Sequence, residues 1–477
     1  MNSARTPLPA GFRLRPDAGL APLEDGRVLL GGAPARIMRL TPDGADLVER
    51  WRGGAPVGPG RAAGLLARRL LEAGMMHPVP PEGATDPSDV TIVVPAYGRA
   101  RQLARCLAGL GTGHPVIVVD DASPDPGPIA EAAAGAGARV IRRRANGGPG
   151  AARNTGARAA RTPFIAFVDS DCVPGPGWLA PLLAHFADPA VAAAAPRITS
   201  HVTGSGVLAR YEAECSALDM GGVPGIVRPR SAVSYVPSAA LVVRRAAFGA
   251  GFDERMRVGE DVDFVWRLAG AGAHIRYVPE SVVAHQHRTR LRAWLARRHD
   301  YGTSAAPLAI RHPDELPALT MSGWSALAWG LAAAGNPAAG LAVTAGGTAL
   351  LARKFSAWTD RPWPLAIRMA SGGTLAAGEI LGRTVIRTWW PVAVPAALAV
   401  PRLRLPLAAA AVGPAAVALR RQGGSSLGPL TWTGIRLLDE LAYGLGVWRG
   451  CAAERTIAPL LPRLWWTSKD GLGSRSR

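Results

Sequence analysis

The 477 residues carry 54 Lys and Arg against 35 Asp and Glu, a formal net charge of +19, with 48% hydrophobic and 6% aromatic residues. A charge of that size invites a nucleic-acid partner, yet Lys354 and Lys469 are the only lysines and no basic–aromatic stripe of the kind that stacks single strands is present. The basicity therefore reads as an Arg-, Ala-, Gly- and Pro-rich composition, and no nucleic-acid partner is expected. The length allows more than one domain. Cys106, Cys172, Cys215 and Cys451 are scattered without C-x-x-C or metal-ligand spacing, which fits a reducing compartment. The first twenty residues lack the apolar core of a signal peptide, so a cytosolic face is expected.

In chain order, Val28 to Gly32 reads as a strand and turn, Thr41-Pro42 as a capped helix start with proline at the first helical position, and Ala62 to Ala73 as an amphipathic helix. Together they predict a small winged-helix-like unit. Val90 to Pro95 is an apolar strand, followed by helical spacing in RQLARCLAGL. Strands at Pro115–Val119, Arg139–Arg142 and Phe164–Val168 alternate with helices at Ile129–Ala136 and Gly150–Ala160. That alternation implies a parallel sheet with crossover helices, whose ligands sit at the carboxyl ends of the strands. Ala96-Tyr97, Asp120-Asp121 and Asp169-Ser170-Asp171 all fall at such ends.

Asp169 and Asp171, one residue apart, suit a divalent cation bridging a diphosphate; the plainer reading is a solvated turn. Gly148-Pro149-Gly150 imitates a dinucleotide fingerprint, but the third glycine is missing and Arg153 is bulky where that motif packs closely. The glycines read better as a helix entry whose amides face an anionic donor. Gly259-Glu260-Asp261-Val262-Asp263 precedes a second helix and offers carboxylates apart from the first pair; favourable charge at a helix N-terminus is the alternative. His285 and His287 are spaced to share one face of a strand, as a metal or diphosphate contact or as packed histidines.

VTIVVPAYGR, VVDDAS, NGGPGAARNTG, FVDSD and PSAALVVRRAAFGAGFDERMRVGEDVDFVWRL, in this order over about 200 residues from Val90 to near His287, resemble glycosyltransferase family 2. The resemblance implies a doubly wound GT-A α/β core using a nucleotide-diphosphate sugar, with Mg or Mn as cofactor. It implies that Pro95, Ala96, Tyr97 and Arg99 line the nucleoside side and that Asp120 or Asp121 binds base or ribose. Arg153, Asp169 and Ser170 would lie by the nucleotide, and Asp171, helped by Asp169, would hold the metal; of the two histidines left open above, His287 is the candidate third ligand. Asp261 would be the catalytic base with Glu260 as the second candidate, in a single displacement with inversion. The Q-x-x-R-W string of processive synthases is absent from the sequence.

The front segment, particularly LLGGAPARIMRLTPDG, resembles peptide-recognition elements of modified-peptide biosynthesis; a dimerisation or lid domain is the alternative. With the core, this layout is similar to the glycosyltransferases of the mycofactocin system, which implies a peptide-derived redox cofactor as acceptor, UDP-glucose as donor and repeated addition of a few sugars. Leu316 to Ala352 lacks any charged residue and is broken at Gly335-Asn336-Pro337; Val392 to Leu419 is apolar apart from Arg402 and Arg404. Trp389-Trp390 and Arg420-Arg421 flank the second stretch as interfacial anchors would. From Arg353 onward there are 17 Lys and Arg against 6 Asp and Glu, a balance suited to an anionic cytoplasmic leaflet. The expected organisation is a recognition module at 1–82, a catalytic domain at 88–300 and a helical region at 301–477 in contact with the membrane. Glycosylation of a polyprenyl phosphate or cell-envelope glycan is the competing expectation, and a non-catalytic nucleotide-sugar sensor is disfavoured by the two sets of carboxylates.

Overall fold

The computed structural model describes residues 6–81, 83, 87–201 and 204–466. The chain divides into two compact units, one of residues 1–21, 31–34 and 41–287 and a second of 22–30, 35–40 and 288–477. Residues of the stretch 1–82 thus fall in both.

The front of the chain contains β1 (Arg13–Pro16), β2 (Ala21–Leu23), β3 (Val28–Gly31), β4 (Arg36–Arg39), α1 (Pro42–Arg52), α2 (Arg61–Glu72) and β5 (Met76–Val79). Thr41 caps α1 by accepting from the Gly44 amide at 3.2 Å, with Pro42 opening the helix. β1 pairs antiparallel with β5, whereas β2, β3 and β4 form a three-stranded sheet. The helices belong to the first unit through a buried ion pair: both Nη atoms of Arg68 donate to Asp188 at 2.7 Å, and neither side chain is more than 2% exposed. Arg68 also donates to the Thr6 carbonyl, and its Nη1 lies 2.9 Å from Nδ1 of His274.

The core runs β6 (Val90–Ala96), α3 (Ala100–Gly109), β7 (Val116–Asp120), α4 (Gly127–Gly135), β8 (Arg139–Arg142), α5 (Pro149–Ala159), β9 (Phe164–Val168), β10 (Cys172–Pro174), α6 (Leu179–Ala184), β11 (Val191–Ser200), α7 (Val207–Cys215), β12 (Gly225–Ile226), β13 (Ala240–Arg244), α8 (Glu260–Gly270) and β14 (His274–His285). Its sheet has the order β10-β14-β11-β13-β9-β6-β7-β8, with β12 beside β14. The parallel arrangement predicted from strand–helix alternation holds for β6 to β9. Beyond them the sheet is mixed, because β13 runs antiparallel to both β9 and β11. Val90, Ile92, Val94, Ala166 and Val168 are completely or almost completely buried between sheet and helices, the pattern of strands covered on both faces. Gly156 lets α5 approach β6, since a Cβ there would lie 2.2 Å from Val93 Cγ1.

The second unit is mainly helical: α9 (Leu291–Thr303), α10 (Ala305–Arg311), α11 (Gly323–Ala333), α12 (Pro337–Phe355), α13 (Pro362–Arg387), α14 (Trp390–Ala399), α15 (Arg404–Arg421) and α16 (Pro429–Glu454), with β15 (Leu319–Ser322) parallel to β16 (Pro462–Trp465). The predicted break falls between α11 and α12, where Asn336 caps α12 by accepting from Ala339. Helices α9 and α16 cross at glycines: a Cβ on Gly446 would stand 2.0 Å from the His299 carbonyl oxygen. In this unit Arg39 donates to the Ala357 carbonyl at 2.8 Å and lies over the Trp358 ring, and Glu24 accepts from the Asp360 amide, so the β2–β4 sheet is fastened to the α12–α13 turn.

Candidate active site

Asp169, Ser170 and Asp171 form the tight turn between β9 and β10, not the last residues of the strand. The Cys172 amide donates to the Asp169 carbonyl at 2.9 Å, and the Asp169 amide to that of Ala239 at 2.9 Å. Strand alternation therefore does not govern the two carboxylates, and they face different partners. Asp169 accepts from Arg153 Nη2 at 2.5 Å. Asp171 has Arg99 Nη1 at 3.8 Å and His285 Nε2 at 3.6 Å. Ser170 is half-buried beside them.

Arg153 lies on α5, buried between the two carboxylate sites, with Nη1 donating to Glu260 at 2.9 Å. Burial opposes its charge, but Asp169 and Glu260 outweigh that and hold the guanidinium more firmly protonated than usual. Its buried Nε makes no hydrogen bond.

Glu260 and Asp261 open α8 after Gly259, whose φ of +81° is left-handed backbone that glycine adopts without strain. Their environments differ. Glu260 is buried, and that burial, with the neighbouring Asp261 charge, pushes its carboxyl up to about 7 against the pull of Arg153. Asp261 is half-buried; it accepts from the Ser238 amide at 3.1 Å and from the Val262 amide at 2.8 Å. Asp261 is thus an oriented and partly solvent-facing acceptor, while Glu260 is committed to an internal ion pair. Ser238, unassigned from sequence, and its neighbour Ala239 tie the Asp261 helix to the Asp169 turn through main-chain atoms alone, which leaves no signal in residue type.

At the ends of β6 and β7, Pro95 and Ala96 are buried and Tyr97 is half exposed. Arg99 adopts left-handed backbone with φ +56° as it opens α3. Asp120 accepts from the Ser123 amide at 2.9 Å and from Arg142. Asp121 accepts from the Gly147 and Gly148 amides, at 3.1 and 2.7 Å, and from Arg143. The helix-entry amides expected to face an anionic donor are therefore bound to Asp121, because this buried carboxylate needs donors more than a solvated ligand does.

Antiparallel pairing places Cys172 opposite His285, which brings the end of β14 to the Asp171 turn. The rings of His285 and His287 meet edge to face with centroids 4.7 Å apart. His287 Nδ1 is 2.9 Å from Glu212 on α7, a partner that sequence did not suggest because 75 residues separate them. Among the described residues no three His, Cys, Asp or Glu side chains converge closely enough to hold a metal ion by themselves. The donor atoms present for a cation whose other ligands come from a diphosphate are the partly exposed Asp171 carboxylate and the buried Nε2 of His287, which makes no hydrogen bond.

The α/β core carries carboxylates near its strand ends, and residues 91–249 match the family model Glycosyl transferase family 2. The chain belongs to glycosyltransferase family 2 and is a glycosyltransferase. More particularly, it is 43% identical over 470 residues, 96% of this chain and 99% of its relative, to Pre-mycofactocin glycosyltransferase of Mycobacterium tuberculosis, in strains CDC 1551 and H37Rv. It is 36% identical over 206 residues, 40% of this chain and 59% of its relative, to the succinoglycan biosynthesis protein ExoO of Rhizobium meliloti. Among solved structures, mannosyltransferase PcManGT from Pyrobaculum calidifontis, in complex with GDP-Man and Mn2+, matches with 21% identity and a TM-score of 0.37 over 63% of this chain and 90% of that one.

Proposed function

We propose that this enzyme transfers a hexose, glucose from UDP-glucose, with inversion to a peptide-derived redox cofactor of mycofactocin type, adding a short oligosaccharide. The observation that carries the proposal is the end-to-end match to the Mycobacterium tuberculosis relative, which includes the front segment and the helical second unit as well as the core. Asp261 takes the acceptor hydroxyl proton at its carboxylate, which the Ser238 and Val262 amides orient. Arg153 fixes Glu260 and Asp169 by donating to both carboxylates, and Pro95, Ala96 and Tyr97 present the nucleoside side. A divalent cation, Mg or Mn, held by Asp171 with His287, would supply Lewis-acid stabilisation to the departing diphosphate.

The proposed location is the cytoplasmic face of the membrane. Among the described residues, Pro401–Arg421 is the one helical segment long and apolar enough to cross a bilayer, and little of it is buried. That exposure also favours a second reading, transfer to a polyprenyl phosphate. The test is to offer purified enzyme UDP-glucose or GDP-mannose with each acceptor class, reading products by mass and anomeric configuration by NMR. The first reading requires hexosylation of the peptide-derived acceptor with inversion; transfer to the lipid phosphate alone would replace it by the second.

A further inference from the structure

We propose that Glu212, on α7, is a positioning residue for the cation site: by accepting a hydrogen bond from Nδ1 of His287, it fixes the imidazole in the tautomer whose Nε2 lone pair can ligate the metal beside Asp171. The inference rests on the reading of this site as cation-binding. Three observations carry it. Glu212 Oε2 lies 2.9 Å from His287 Nδ1, with side chains 2% and 9% exposed, so the contact is shielded from competing water. An ionised carboxylate can only accept, which assigns a proton to Nδ1; in the neutral ring Nε2 is then the lone-pair nitrogen.

That Nε2 is buried and makes no hydrogen bond, an arrangement that is unfavourable unless a ligand compensates. The ring itself packs on His285, whose Nε2 is 3.6 Å from Asp171 Oδ1, and the Gln286 amide between the two histidines donates to the Asp171 carbonyl at 3.0 Å. One short segment thus connects Glu212, through His287, to the carboxylate expected to hold the cation. A carboxylate on the far nitrogen of a ligating histidine orients the ring and strengthens it as a donor.

The experiment measures Mn2+ binding in the presence of UDP, by calorimetry and by the electron paramagnetic resonance signal of free Mn2+, for full-length parent, Glu212→Ala, Glu212→Gln, His287→Ala and Asp171→Ala. Glu212→Ala is expected to weaken Mn2+ binding by about 10–100-fold, as loss of such a partner does, whereas Glu212→Gln, whose amide oxygen still accepts from Nδ1, retains most of it. Unchanged binding in Glu212→Ala with loss in His287→Ala overturns the positioning role and leaves the cation site standing. Unchanged binding in His287→Ala with loss in Asp171→Ala removes His287, and with it Glu212, from the site. No Mn2+ binding by the parent overturns the cation reading itself. Should Glu212→Ala fail to fold, nitrogen-15 spectra of the histidine rings in the parent, with His287→Ala to assign the resonance, decide: a proton on Nδ1 is expected, and one on Nε2 overturns the proposal.

Discussion

Asp261 and Glu260 are chain neighbours of the same chemical type, and only their surroundings separate them. Asp261 is partly open and oriented by two main-chain donors; Glu260 is enclosed and bound to Arg153. Asp261→Asn is therefore expected to lower transfer by about 10²–10⁴-fold, the usual worth of a general base, while binding of the proposed donor UDP-glucose, measured by calorimetry, stays within a few-fold of the parent. Equal turnover by this variant would reassign the base. Arg153 has a different kind of importance. Arg153→Ala would leave Asp169 and Glu260 without their shared buried cation, so denaturant unfolding should report a loss of about 3–5 kcal/mol, the cost of breaking a buried ion pair from one side. A variant as stable as the parent would show that the pair is not formed.

At the scale of elements, α2 is joined to the core by charge as well as by apolar packing. Burial raises the Asp188 carboxyl, but the hydrogen bonds and charge of Arg68 outweigh it and hold the group below its ordinary value. Arg68→Ala should cost about 3–5 kcal/mol, and Arg68→Met with Asp188→Leu should recover part of that, because the two paired charges leave together while the buried Arg276 loses the nearby Asp188 carboxylate. If the double variant is no better than the single one, packing rather than the ion pair joins these elements. The nearby His185 is buried with Nδ1 lacking a hydrogen bond, and burial, reinforced by the Arg276 charge, lowers its pKa to about 3 from 6.5. Below pH 6.5 the unfolded chain takes up a proton that the folded chain refuses, so stability should fall as pH drops from 6.5 toward 3. His185→Phe should flatten that part of a stability–pH curve; an identical slope would mean that His185 is solvated. Because Arg68 lies within the front segment, deleting residues 1–81 would remove the ion-pair partner of Asp188 and uncover the surface packed against it, so point substitutions on exposed faces of α1 and α2 test acceptor recognition more cleanly than truncation.

For the whole molecule, the second unit exposes Leu375, Leu398, Leu405 and Leu430 by 69% or more of their surface, in a region with 17 Lys and Arg against 6 Asp and Glu from Arg353 onward. Apolar exposure with that charge balance suits an anionic bilayer. Full-length protein is expected to float with phosphatidylglycerol vesicles and to bind neutral phosphatidylcholine vesicles less. Equal binding to both would remove the electrostatic part of this expectation, and binding to neither would remove the membrane.

Local rules determined much of this protein from the sequence. The strands Arg139–Arg142 and Phe164–Val168, the Thr41 cap, the helix break at Asn336-Pro337 and the order of the transferase motifs depend on neighbours a few residues apart, where periodicity and capping chemistry act. Tertiary structure decided what depends on distant partners. It turned β13 antiparallel, split Asp169 from Asp171 by a tight turn, occupied Asp121 with the Gly147 and Gly148 amides, and brought Glu212 to His287 across 75 residues. Backbone propensity is written in adjacent residues, but the direction and partner of a buried polar side chain are fixed by which segments the sheet brings together, since each such group must find its donor or acceptor wherever the fold supplies one.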